Sequence, residues 1–378
     1  MKKARSVALS GAVAVVLAGV GACVGDDASG AHVGPGADAD AAPEASIPDG
    51  STRDADSAVL PPDEMLCTFD PSRIDLPGNG LDEDCSGKAD DEELLCDGSL
   101  ALGSSDAFDG AKAMGLCKKT TAGAAAWGVI DAHYVLPDGT AAPLASSVSW
   151  GLLPSFGTNA ARAGQRLLAL SSGAARAPDQ PGYQAPVPGD NKNYAHGRPA
   201  GFPSIAACGG LPLAASHDGI ALEVRLKIPS NATSFSFAHQ LFTADYPDNV
   251  CSTFEDVYGV FLTPMPAASP DGNVALDING SAITVGSGAL MRSCASGTHN
   301  AVNFACALGT AGLAATGFET HAATGWLRTT VPVNGGAEIT LRFAIWDSGD
   351  GTNDSTALFD DFVFATAASS PGMSTVPQ

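Results

Sequence analysis

Alternation of apolar and polar residues is the clearest signal along this chain. Ala221-Leu222-Glu223-Val224-Arg225-Leu226-Lys227-Ile228 changes character at almost every step, the period of a strand with one face buried. Ser234 to His239 and Ile339 to Trp346 alternate in the same way, and Val257 to Leu262 and Leu358 to Phe364 read as further strands. Gly, Pro, Asn and Asp separate these stretches, as turns require. Two short helices are predicted, over Asp106 to Leu116 and over Asn159 to Arg166. The pattern predicts a mainly β fold, a mostly antiparallel β-sandwich over residues 99–368, with a loose tail at 369–378. No repeat at solenoid or propeller period is present.

Residues 1–22 have a different texture. Lys2, Lys3 and Arg5 precede an uncharged run, Val7 to Val20, of 14 residues. That is short for a membrane span and matches the apolar region of a signal peptide. The run ends Leu17-Ala18-Gly19-Val20-Gly21-Ala22-Cys23, which resembles the bacterial lipobox. The resemblance implies cleavage before Cys23, lipidation of Cys23 and attachment to the cell envelope, at the outer membrane or cell surface. Two or three acyl chains anchor stably where one does not. An ordinary signal peptide that happens to contain a cysteine is the alternative.

Nine cysteines fit this picture, because removing Cys23 leaves eight, an even number suited to disulfides in an exported chain. Nearest-neighbour pairing predicts Cys67–Cys85, Cys96–Cys117, Cys208–Cys251 and Cys294–Cys306, one of 105 connectivities. Cysteine and histidine spacings do not suggest zinc. Residues 24–62 are Ala, Gly, Pro, Ser and Asp with eight acidic side chains against Arg53 alone. Such a segment buries too little apolar area to offset its ordering entropy, so residues 23–62 read as a lipidated, disordered acidic linker. As a flexible coil its 39 residues after Cys23 span roughly 35 Å. The whole chain carries a net charge of -22, which excludes nucleic acid and anionic lipid surfaces as natural partners and suits cations.

Residues 63–98 form a small acidic module. Within it, Asp82-Glu83-Asp84-Cys85-Ser86-Gly87-Lys88-Ala89-Asp90-Asp91-Glu92-Glu93 has the ligand order of a twelve-residue calcium loop. Asp82, Asp84, Ser86, the Lys88 carbonyl, Asp90 and Glu93 occupy positions 1, 3, 5, 7, 9 and 12, and Gly87 sits at the sharp turn. Pro77-Gly78-Asn79-Gly80 precedes the loop, so no incoming helix is expected. The stretch also resembles a metal-binding motif of bacterial surface proteins, a family associated with copper. Copper prefers imidazole or sulfur, and this module has no histidine, so the ligand chemistry predicts calcium. A solvated acidic turn is the other reading.

The sandwich carries a second resemblance. Phe235-Ser236-Phe237-Ala238-His239 leads into Asp245-Tyr246-Pro247-Asp248-Asn249-Val250 and then Phe254-Glu255-Asp256-Val257-Tyr258-Gly259-Val260-Phe261-Leu262. Later come Asp347-Ser348-Gly349-Asp350-Gly351-Thr352-Asn353-Asp354-Ser355, and earlier Leu168-Ala169-Leu170-Ser171-Ser172-Gly173. These stretches resemble the bacterial choice-of-anchor L domain across about residues 100–368. The resemblance implies a surface-exposed, lectin-like sandwich of jelly-roll type. Asp347, Asp350 and Asp354 follow an apolar strand, and Asp245, Glu255 and Asp256 could approach from a neighbouring loop. Two readings stand for this second set: calcium ligands, or turn-forming residues without a metal.

Catalytic signatures are missing: no nucleophile elbow, zinc-protease helix or phosphate loop occurs, and the seven histidines are scattered. His239, beside phenylalanines in a strand, reads as a core residue. The sequence therefore predicts a calcium-stabilised surface binding or adhesion protein with a glycan or protein ligand and no catalysis. The alternatives are a polysaccharide hydrolase on a sandwich scaffold, which would need two facing carboxylates, and a purely structural envelope component.

Overall fold

The computed structural model describes residues 67–378 except 203–207, 209–211, 270, 350 and 368–371. The signal segment, Cys23, the linker and Asp350 lie outside the described residues. The described part belongs to one compact unit.

Its single α-helix, α1 (Ala107–Lys112), is followed by fifteen strands. They are β1 (Gly128–Val135), β2 (Trp150–Leu153), β3 (Ser155–Phe156), β4 (Asn159–Ala160), β5 (Leu167–Ser171), β6 (Ser216–Lys227), β7 (Ser234–Thr243) and β8 (Val257–Thr263). Then come β9 (Gly297–His299), β10 (Val302–Phe304), β11 (Ala322–Ala323), β12 (Leu327–Pro332), β13 (Glu338–Ser348), β14 (Ser355–Ala365) and β15 (Ser374–Pro377). One sheet has the order β1-β6-β13-β8; the other has β15-β12-β7-β14-β5-β2, with β11 added beside β7. All paired strands are antiparallel. The two sheets make the expected sandwich. Phe343 of the first sheet packs edge-on against Phe237 and Phe359 of the second, with ring centroids 5.6 and 5.1 Å away.

The long strands fall where the alternation puts them. In β6 the even positions Leu222, Val224 and Leu226 are buried and Arg225 is exposed. β8 and the first half of β14 are buried on both faces, because loops cover the outer side of each sheet. Phe202 and Leu213 close over Trp346 on one side, and Phe318 over Phe242 on the other.

Three expectations need correction. The helix predicted over Asp106 to Leu116 is shorter: Asp106 caps Phe108 N, and the helix stops at Lys112 before Gly115 turns left-handed at φ 96°. No helix forms over Asn159 to Arg166. Gly157, at φ 57°, closes the β3–β4 hairpin instead, and Gly164 turns Gln165 and Arg166 so that their amides donate to the buried Asp97 carboxylate at 2.6 Å. The tail is not loose over its last residues, since Ser374–Pro377 pairs with β12 and extends the second sheet.

All four disulfides have the predicted pairing. The Cys96–Cys117 bridge nevertheless crosses the predicted boundary at 98/99, and it is not alone. Ile74 is buried in the main core, its backbone exchanges two hydrogen bonds of 2.9 Å with the Asn231 amide, and Ser72 Oγ meets Ser230 Oγ at 2.8 Å. The acidic segment is therefore docked on the sandwich rather than a separate domain. A piece this short buries little surface of its own, and docking on the sandwich adds to it.

Candidate functional site

The acidic loop is built around Ser86. Cys67 ties the loop down through Cys85, and Cys85, Gly87 and Asp90 all take positive φ, at 60°, 89° and 60°. Asp82 accepts from Ser86 N at 3.0 Å and Gly87 N at 2.9 Å, and Asp84 accepts from Ser86 N at 2.9 Å. Ser86 Oγ lies 3.2 Å from the Lys88 carbonyl and 3.3 Å from Asp91 Oδ2. Thus Asp82, Asp84, Ser86 and the Lys88 carbonyl come together, joined by Asp91.

The other two expected ligands point elsewhere. Asp90 turns back to accept from Asn79 N at 3.0 Å and Gly80 N at 3.2 Å. Glu93 is exposed and lines an apolar cleft with Pro77, Leu95 and Met114. In an EF-hand the outgoing helix swings position 12 onto the ion; here residues 91–97 continue without a helix. A carboxylate missed from sequence lies beneath the loop. Asp75 is fully buried and accepts from Glu83 N at 3.1 Å and Asp91 N at 2.8 Å. Burial pushes its carboxyl up, but hydrogen bonds from Glu83, Asp91 and Asp90 outweigh this and hold it low. Burial raises Asp84, against hydrogen bonds from Ser86, and the charges of Asp91 and Asp75 add to the rise. An acid between two apolar residues, Ile74-Asp75-Leu76, was the available sign.

The second set converges at one end of the sandwich. Asp245 follows β7 and Asp354 precedes β14, both in the second sheet; Asp256 precedes β8 and Asp347 lies near the end of β13, both in the first. Asp245, Asp256 and Asp347 are each 1% exposed and Asp354 is 3% exposed, which removes all four from solvent. Asp245 Oδ2 accepts from Asp256 N at 2.6 Å, a bond between the sheets, and its Oδ1 accepts from Asn249 Nδ2 at 3.1 Å. Asp256 Oδ1 accepts from Ser348 N at 3.3 Å, and the Ser355 hydroxyl also acts on its carboxylate. Asp347 Oδ1 accepts from Gly351 N at 3.3 Å. The Ser348 hydroxyl is buried without a partner.

Asp354 is differently placed. Its Oδ2 accepts from Asp190 N at 2.8 Å, and the buried Lys192 ammonium, held by the Gly173 carbonyl at 2.9 Å, acts on it. Gly173 has no room for a side chain: a Cβ there would lie 1.7 Å from Asp354 Oδ2. Glu255 does not join the centre. It accepts from Cys251 N and Thr284 Oγ1, each at 2.6 Å, beside the Cys208–Cys251 bridge. Cys208, Cys251 and Glu255 are the one trio of such groups among the described residues with donor atoms all within 4.8 Å, but the two sulfurs are bonded to each other and offer no thiolate.

Burial dominates the electrostatics here. It pushes Asp245 up to about 7, against hydrogen bonds from Asp256 and Asn249 and with the help of the Glu255 charge. Asp256 is driven well above the carboxylate range, first by burial and then by the charges of Asp245 and Asp347, against a hydrogen bond from Ser355. Asp354 also rises to about 7 through burial, in spite of Lys192.

No family model matches this chain, and neither a curated protein nor a solved structure matches it.

Proposed function

We propose that this is an exported binding or adhesion protein, held at the bacterial cell envelope by a lipid on Cys23 and stabilised by calcium. The disulfides carry the reading. Eight of nine cysteines are joined in four bridges, which points to an oxidising compartment and leaves Cys23 as the odd cysteine. The likeness of residues 17–23 to a lipobox gives that cysteine a purpose. The sandwich, its acidic strand ends and the likeness to the choice-of-anchor L domain support a surface module that recognises a glycan or a protein.

The hydrolase alternative would need an open carboxylate pair. The carboxyls held above the usual range at the sandwich end, Asp245, Asp256 and Asp354, are buried and do not offer such a pair. Two measurements test the proposal. Detergent phase partitioning and mass spectrometry of the N-terminal peptide should place the wild type in the detergent phase with acylated Cys23, and Cys23→Ser in the aqueous phase. An unmodified mature N-terminus at another residue overturns the anchor. A screen of purified Cys23→Ser protein on glycan panels should give binding without cleavage; cleavage products would move the assignment to hydrolase.

A further inference from the structure

One open side of the sandwich carries an aromatic cleft. β1 is an edge of the first sheet and β2 an edge of the second, and a ring from each meets the other across the gap. Tyr134 of β1 stacks on Trp150 of β2, with centroids 4.3 Å apart and planes 17° from parallel. Trp150 is held in place by its Nε1, which donates to the Ser104 carbonyl at 2.9 Å. The Tyr134 hydroxyl is buried against Gly110 of α1, where a Cβ would come within 2.9 Å of it, so Tyr134 offers the cleft its ring and not its oxygen. Both rings are half-buried and line a cleft of about 510 Å³, the size of a small-ligand site. Leu144 stands on its wall, 96% exposed, at the start of the short 3-10 helix Leu144–Val148. Ser105, Asp106, His133 and Ser147 add exposed polar groups to the rim. Asp106 Oδ1 accepts from Phe108 N at 3.0 Å, which leaves its second oxygen to accept from a ligand.

We infer that this cleft binds a pyranose unit of a neutral or amino-bearing glycan, packed against the Trp150–Tyr134 pair. The inference rests on the binding reading above and deepens it, because it names the surface and the class of ligand. A pyranose presents two kinds of surface, a patch of C–H groups and a rim of hydroxyls. The C–H groups carry slight positive charge and need no hydrogen bond, which suits the negative face of an aromatic ring. Each hydroxyl both donates and accepts, and the rim does both: Asp106 accepts, and the Ser105 and Ser147 hydroxyls do either. A wholly apolar ligand would strip water from that rim without replacing its hydrogen bonds. An anionic glycan is disfavoured by charge. Asp106 sits on the rim, His133 already faces Asp131 at 2.8 Å, and the chain as a whole carries -22. The two rings are stacked and tied to the Ser104 carbonyl before any ligand arrives, so binding orders little and loses little entropy.

The test titrates neutral, amino-bearing and uronate oligosaccharides into the full chain carrying Cys23→Ser, by calorimetry. The expected result is saturable binding of a neutral or amino-bearing oligosaccharide and none of the uronates. Trp150→Ala should weaken that binding at least about tenfold, whereas Trp150→Phe, which keeps a ring, should stay within about threefold. Should Trp150→Ala not fold, the double variant Leu144→Asp/Ser147→Glu changes two exposed positions on the cleft and should weaken binding at least about tenfold. A thermal unfolding curve for each variant separates loss of the ligand from loss of the fold. Binding that survives both Trp150→Ala and the double variant would overturn the cleft as the site and leave a glycan-binding protein standing. A preference for uronates would overturn the ligand class. A chain that binds none of the oligosaccharides would overturn this inference together with the glycan half of the proposed function, and leave a protein as the ligand.

Discussion

His239 lies wholly inside the sandwich, with Nδ1 2.7 Å from the Tyr258 hydroxyl and Nε2 2.8 Å from Thr329 Oγ1. Both partners are hydroxyls that can donate or accept, so the neutral ring is satisfied in either tautomer, and it is burial that disfavours its charged form. Burial, helped by the charge of Arg328, pushes its pKa down to about 3. Below pH 6.5 the unfolded chain takes up a proton here that the folded chain refuses until about pH 3. The stability this residue gives is therefore complete above pH 6.5 and is lost as pH falls through that window, by up to about 1.4 kcal/mol per pH unit. Replacing His239 by Gln keeps a donor and an acceptor but removes the titration. Denaturant unfolding should find His239→Gln weaker by about 1–2 kcal/mol at pH 7 and closer to wild type at pH 5. Equal pH dependence in the two proteins would show that the imidazole does not govern the acid limb. Buried carboxyls act on both proteins alike and cancel in the comparison.

At the scale of elements, the legible strands are those whose side chains separate by environment. β6 and β13 alternate because each has one face on the core, and both run where Ala221 to Ile228 and Ile339 to Trp346 alternate. Strands of two or three residues, such as β3, β4 and β11, are held by their neighbours and leave no periodic trace. The same division holds for the acids. Turn spacing marked Asp347 and Asp354, but only the stacking of two sheets brings Asp245 and Asp256 to them. Spacing misled at Asp90 and Glu93 because the linear pattern assumes a helix that this chain lacks. The last strand, Ser374–Pro377, was hidden by its polarity: one face is solvent and its partner is the edge of β12. Thr375 Oγ1 meets Thr329 Oγ1 at 2.8 Å, and Gln378 N donates to the Trp326 carbonyl at 2.9 Å. Removing residues 372–378 should bare the amides of β12 to water. Hydrogen exchange at Arg328 and Thr330 should then accelerate at least about tenfold, with global stability reduced by roughly 1–2 kcal/mol. Unchanged exchange would mean that β15 adds nothing to the sheet.

The molecule as a whole has to hold together a strongly acidic chain. Its charge of -22 opposes compaction, and the acidic segment from 67 to 98 sits against the sandwich in spite of it. Three kinds of contact hold that segment in place. Ile74 is buried among the sandwich's apolar residues, Asp97 accepts from Gln165 N and Arg166 N at 2.6 Å, and Cys96–Cys117 fixes the join. In return, the segment covers Trp127, Phe362 and Phe364 across a cleft of about 270 Å³. Neither part is complete without the other, so the two should unfold as one. Calorimetry of the full chain should give a single transition for the segment and the sandwich together. Ile74→Ala should lower that one transition by about 2–4 kcal/mol, the cost of emptying a core position. A chain starting at residue 99 would lose the Ile74 burial and a bridge that closes a loop of 21 residues, about 3 kcal/mol by itself. It should therefore unfold at markedly lower temperature and bind apolar dyes at the bared Trp127 and Phe364 face. Two separate transitions in the full chain, with Ile74→Ala moving only the smaller, would show instead that the acidic segment folds on its own.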